Sequence, residues 1–260
     1  MSSAAHSRGA PGKQAPLRLA AIAALDVRRC KGYQGNMTQD IPAADSADIP
    51  LAELRPRLVA AMLPNVPFDG WSAEARDAAA DAEGIDRDIA AMALPDAASM
   101  TDAYTARADA LMTEAMIAAD VGSLKIRDRI RLALRTRLEA AENDREAVRR
   151  ALTIMTLPQN AALGVRTLWR TADAMWRTAG DTATDFNHYS KRAILGTVYS
   201  ATLLYWLDDD SEGHEATWAF IDRRIDGIMA FEKAKARVTG AFAKLPDPAR
   251  FLGRLRYPAV

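Results

Sequence analysis

From Leu51 onward, apolar side chains recur at the i, i+3, i+4 spacing of an amphipathic helix, and this one pattern constrains the chain to an all-α fold. The first stripe is Leu51, Leu54, Leu58, Ala61 and Met62, stopped by Pro64. The clearest is Val165, Leu168, Trp169, Ala172, Met175, Trp176 and Ala179, closed by Gly180. Composition points the same way: Ala, Leu and Arg are abundant while Val, Tyr and Phe are sparse, so intrinsic propensity favours helix. The most apolar stretch, residues 193–207, is 15 residues long and carries Thr197, Ser200 and Thr202. It is shorter than the roughly 18 residues that span a bilayer and reads as a buried helix.

Ser72 is placed to cap a second helix running to Gly84, and Asp86 a third over residues 87–94, ended by Pro95. Three short helices with a glycine in the last turn have the spacing of a helix-turn-helix unit. Longer helices are expected at about 98–118, 124–142, 144–156, 161–179, 186–207 and 214–235, with Asp185 capping the fifth and Asp210 or Ser211 the sixth. The chain then divides into a disordered tail (1–48), a helix-turn-helix-type head (49–96), a helical body (97–237) and a basic amphipathic C-terminal segment (238–260). This order resembles the TetR regulators, whose small head precedes a larger ligand-binding and dimerisation body.

Charge argues against DNA at that head. Formal net charge over the whole chain is zero, but residues 69–96 hold eight acids against Arg76 and Arg87, a balance of −6. The third helix offers Asp86, Arg87 and Asp88, then only Ile, Ala, Met and Leu, with no side chain suited to reading base edges. An acidic surface is repelled by a polyanion, so a TetR-type transcriptional regulator is the alternative reading and not the favoured one.

Signatures of chemistry are missing. No nucleophile elbow, phosphate loop, dinucleotide fingerprint or paired cysteine motif occurs, so no enzyme activity and no cofactor are expected. His6, His188 and His214 lack metal-ligand spacing, and the acids Asp208, Asp209, Asp210 and Glu212 are better explained by the helix start that follows them. His214 is expected to be solvated in that loop. The arginine-rich helix with Arg129, Arg131, Arg135 and Arg137 reads as a solvated face with snorkelling arms.

Lone Cys30 can form no internal disulfide and fits a reducing compartment. The acid-free first 25 residues resemble a weak transit peptide, although a plain tail is the preferred reading. At the other end, residues 233–256 carry a balance of +6, interleaved with apolar side chains. Phe242, Lys244, Arg250, Phe251, Leu252, Arg254 and Leu255 are therefore candidate membrane contacts, with an ordinary packed terminal helix as the competing explanation.

One run is not generic. Residues 180–189, Gly-Asp-Thr-Ala-Thr-Asp-Phe-Asn-His-Tyr, with Trp176 before and Lys191, Arg192 and Ala193 after, closely resemble the accessory lipid-binding family of ubiquinone biosynthesis, the ninth coenzyme Q biosynthesis protein. The likeness extends through Thr171-Ala-Asp-Ala-Met-Trp and residues 218–225, and more loosely to Pro64-Asn-Val-Pro-Phe-Asp-Gly-Trp; the chain's ending resembles bacterial members. The resemblance implies a TetR-like homodimer without DNA binding. It would hold an isoprenoid lipid or ubiquinone intermediate and present it to demethoxyubiquinone hydroxylase. The expected location is cytoplasmic and peripheral on a bacterial inner membrane, with the mitochondrial matrix second. The docking surface it implies comprises Asp173, Met175, Asn187, His188 and Tyr189. His188 stands where the family commonly has Trp, which offers more apolar area. Trp169, Trp176, Tyr199, Leu203 and Trp206 are candidates to line the lipid pocket, though at helical spacing each is more often plain core.

Overall fold

The computed structural model describes the backbone of residues 49–182 and 186–242, and the side chains of 49–182 and 188–228. Every regular element among them is helical: α1 (Leu51–Met62), α2 (Val66–Asp69), α3 (Ala73–Glu83), α4 (Arg87–Ala93), α5 (Ala97–Ala118), α6 (Ile126–Glu139), α7 (Arg145–Met155), α8 (Ala161–Thr178), α9 (Phe186–Leu207) and α10 (Glu215–Phe242). Helix limits follow local chemistry. Ser72 accepts from the Ala75 amide, Asp86 from the Asp88 and Ile89 amides, and Asp96 forms a capping box with Ser99. Gly180, at φ +89°, ends α8: its amide donates to the Arg177 carbonyl and that of Asp181 to the Trp176 carbonyl, a Schellman closure that needs a left-handed residue.

Three expectations change. The single turn α2 was not foreseen, because Pro67 at its start hides a four-residue helix behind two apparent breakers. α10 continues to Phe242, past the end expected near residue 235, so no helix boundary separates body from C-terminal segment at 237. Before α10, Ser211 accepts from the Ala216 amide as expected, but the deeper cap is Asp209, which accepts from the Ser211 and Thr217 amides. Asp185 lies outside the described residues.

α5 is the spine, packing against α1 on one side and α6, α7 and α8 on the others. Head and body share one hydrophobic core running from Leu54 and Leu58 through Met100 and Met112 to Leu134, Met175 and Trp206. Polar ties reinforce the junction. Trp71 Nε1 donates to the Ala147 carbonyl at 3.1 Å, and Arg150 donates to the Pro67 carbonyl at 2.7 Å. The head and body divisions therefore belong to one compact unit. No helix among the described residues is long and apolar enough to cross a membrane.

Candidate functional site

Where α5, α6, α7, α8 and α9 converge they leave an apolar cavity of about 420 Å³. Val148, Ala151, Leu152 and Met155 of α7 form one wall, Gly164, Val165 and Leu168 of α8 the second, and Tyr199, Leu203 and Leu204 of α9 the third. Gly164 permits close approach, since a Cβ there would lie 3.0 Å from the Met155 carbonyl oxygen. Val165 and Leu204 are largely exposed and mark the mouth. Tyr104, Arg137 and Tyr199 are buried and mark the inner end.

That inner end is polar. Arg137 is only 3% exposed, and its Nε donates to Asp109 at 3.0 Å. The Asp109 carboxylate also accepts from Thr171 at 3.0 Å, while Arg170 lies 3.6 Å from it and pairs with Asp102 at 2.8 Å. Burial opposes the charge on Arg137, but Tyr199 and Asp109 beside it outweigh that and keep it protonated. Burial pushes the Tyr104 and Tyr199 phenols up, so both stay neutral. The Tyr104 hydroxyl is buried without a hydrogen-bond partner among the described residues.

A second feature adjoins the mouth. Val165 and Trp169 sit one turn apart on α8, and the Trp169 ring lies 6.1 Å from the exposed Tyr189 ring, which has His188 edge-on at 5.2 Å. A buried clamp holds this patch in place. Arg192 donates to Asp173 at 2.6 Å, to Asp181 at 3.0 Å and to the His188 carbonyl at 3.1 Å. Lys191 pairs with Asp181 at 2.7 Å, and Trp176 Nε1 donates to the Lys191 carbonyl at 3.0 Å. The unusual run that follows Trp176 therefore encodes a joint between α8 and α9.

The candidate residues separate accordingly. Tyr199 and Leu203 line the cavity. The three tryptophans assigned with them do not: Trp169 belongs to the surface patch, Trp176 to the clamp, and Trp206 is fully buried beneath the Arg145 guanidinium. Of the docking set, Tyr189 is 61% exposed and His188 half-buried, but Met175 is 0% exposed because it lies on the inward stripe of α8 with Ala172 and Ala179. Asp173 is engaged by Arg192 and Arg177. The side chains of Asn187 and Phe242, and all of Lys244, Arg250, Phe251, Leu252, Arg254 and Leu255, lie outside the described residues. Two solvated assignments also change. Arg137 turns inward, and His214 is half-buried between Trp206 and Trp218 with Nε2 2.8 Å from Glu142. Among the described residues no cluster of His, Cys, Asp and Glu is arranged to hold a metal. Arg137, Asp109 and Tyr104 were not singled out by sequence as site residues; a basic residue inside an apolar stripe was the only signal.

A helix-turn-helix-type head fused to a body with an apolar cavity defines the TetR-like class. The fold aligns with the crystal structure of the TetR transcriptional regulator from Nitrosomonas europaea, with a TM-score of 0.54 and 20% identity over 67% of this chain and 97% of that one. That likeness concerns the fold alone. The COQ9 family model matches residues 161–232. Ubiquinone biosynthesis protein COQ9, mitochondrial, is 34% identical in Rattus norvegicus and 32% in Homo sapiens, each over 184 residues and 68% of this chain. The chain belongs to the COQ9 family. The matches span 59% and 58% of the length of those two relatives.

Proposed function

We propose that the protein is a non-catalytic accessory factor of ubiquinone biosynthesis that holds a polyprenylated intermediate in the cavity and presents it to demethoxyubiquinone hydroxylase at a membrane surface. The observation that carries this reading is the placement of the cavity mouth beside the aromatic patch of Trp169, Tyr189 and His188. A polyprenyl tail is insoluble in water, and an apolar cavity shields it. A tail longer than the cavity emerges at Val165 and Leu204, next to the surface suited to a protein partner. The groups facing the cavity favour binding over chemistry: neutral phenols and an arginine held protonated offer no general base near neutral pH. Tyr205, 40% exposed and stacked on Phe220 at 4.7 Å, suits a homodimer through α9 and α10. The basic C-terminal segment supplies the membrane contact.

The regulator reading is weaker. Both bases of the acidic head segment are engaged, Arg76 with Asp77 and the Leu94 carbonyl, Arg87 with Asp81. Salt-dependent nanomolar binding to a promoter fragment would restore it.

Mass spectrometry of lipids extracted from the purified protein tests the main proposal. Ala151→Phe places a ring in the cavity, so a prenylated lipid found with the wild type should be lost from the variant. Equal lipid content in both folded proteins would overturn the assignment of the cavity.

A further inference from the structure

A cavity meant only for hydrocarbon gains nothing from an arginine at its closed end. Guanidinium carries five N–H donors in a rigid fork. In Arg137, Nε serves Asp109, while the two terminal nitrogens donate to no described residue. Beside them the Tyr104 hydroxyl is buried with no hydrogen-bond partner among the described residues, which is costly, and a buried ion pair is often less stabilising than apolar residues of the same volume. The arrangement is explained when the cavity's guest supplies the missing acceptor.

We propose that Arg137 is a head-group-binding residue: the guest enters polar end first, and an uncharged oxygen acceptor, such as a ring carbonyl, accepts from its terminal nitrogens while the apolar remainder runs toward Val165 and Leu204. This rests on the cavity reading above and adds an orientation and the residue that meets the head group. The charge count selects a neutral acceptor. Asp109 at 3.0 Å balances Arg137, and Arg170 is balanced by Asp102 at 2.8 Å, so an anionic head would bring an uncompensated charge into a buried site. Tyr199, whose ring lies 6.0 Å from the Arg137 guanidinium carbon, flanks the head. Thr171 holds the Asp109 carboxylate from behind and fixes the direction of the fork.

The test uses three probes with equal tails, decylbenzoquinone, decylbenzene and decanoate, titrated into the full chain by calorimetry. The wild type should bind the quinone about tenfold or more tighter than decylbenzene, the factor typical of hydrogen bonds to a charged donor, and decanoate no tighter than decylbenzene. Arg137→Met combined with Asp109→Leu removes both charges together; it should bind quinone and hydrocarbon alike. Infrared difference spectra of an isotope-labelled quinone carbonyl should shift to lower frequency in the wild type, which keeps the test decisive if the double variant does not fold. Equal affinities in the wild type, an unshifted carbonyl, decanoate as the tightest probe, or an undiminished quinone preference in the folded double variant would each overturn the proposal. Failure of all three probes to bind the wild type overturns the cavity reading itself, whereas hydrocarbon binding without quinone preference overturns only the head-group assignment.

Discussion

Met175 and Tyr189 were assigned together to a docking surface, and the structure separates them so sharply that two alanine substitutions distinguish their roles. Met175 is completely buried between α8 and its neighbours, so Met175→Ala removes a core side chain and leaves a cavity. Such changes cost about 2–5 kcal/mol. At this size 1 kcal/mol corresponds to about 2–4 °C in melting temperature, so a mid-range cost lowers Tm by about 6–12 °C. Tyr189 is largely exposed, with its ring tilted against Trp169 and T-shaped against His188. Losing those ring contacts costs about 1 kcal/mol or less. As a central aromatic anchor it would cost docking about 2 kcal/mol, roughly thirtyfold in affinity. The assays are thermal unfolding followed by circular dichroism and hydroxylase binding at a temperature where both variants are folded. Met175→Ala should lose stability and keep docking; Tyr189→Ala should do the reverse. An unchanged Tm in Met175→Ala together with weakened docking would refute the burial argument, and normal docking in Tyr189→Ala would remove the patch from the interface.

Three further outcomes follow from local chemistry. Burial alone would raise the Asp209 carboxyl, but hydrogen bonds from Ser211 and Thr217 outweigh it and hold it well below the ordinary range. A depressed folded value stabilises the fold above the unfolded pKa of about 4, and that contribution is lost as pH falls below it, so Asp209→Asn should flatten the decline of Tm below about pH 4; a decline as steep as the wild type's contradicts this. Gly180→Ala forces a Cβ into the left-handed region and to 3.0 Å from Arg129 Nη1, which donates to the Ala179 carbonyl, so about 1–2 kcal/mol of stability should be lost; an unchanged urea midpoint refutes the strain. Deleting residues 241–257 should weaken binding to anionic liposomes and leave the helical spectrum intact, since each Lys or Arg near such a surface contributes about 1 kcal/mol; undiminished liposome binding assigns the segment another role.

The sequence by itself determined the helix limits that local caps and stops set. Ser72, Asp86, Gly84 and Gly180 satisfy or terminate their own helices through backbone hydrogen bonds spanning a few residues, so the information is local. It also determined the acidity of the head and carried the run that marks the family. Tertiary structure decided what each apolar stripe faces. Trp206 and Leu203 lie three positions apart on one helix, yet one is sealed in the core and the other lines the cavity opposite side chains of α7 and α8. Arg135 and Arg137 make the same point. Arg135 stays half-exposed with Glu139 at 2.6 Å, while Arg137 is enclosed against Asp109. Helical spacing specifies that they project to different sides, but whether a side meets water or a neighbouring helix depends on α5 and α9, which arrive from distant parts of the chain. The Arg137 and Asp109 pair spans 28 positions and Trp71 with Ala147 spans 76, and no periodicity within one helix encodes such partners.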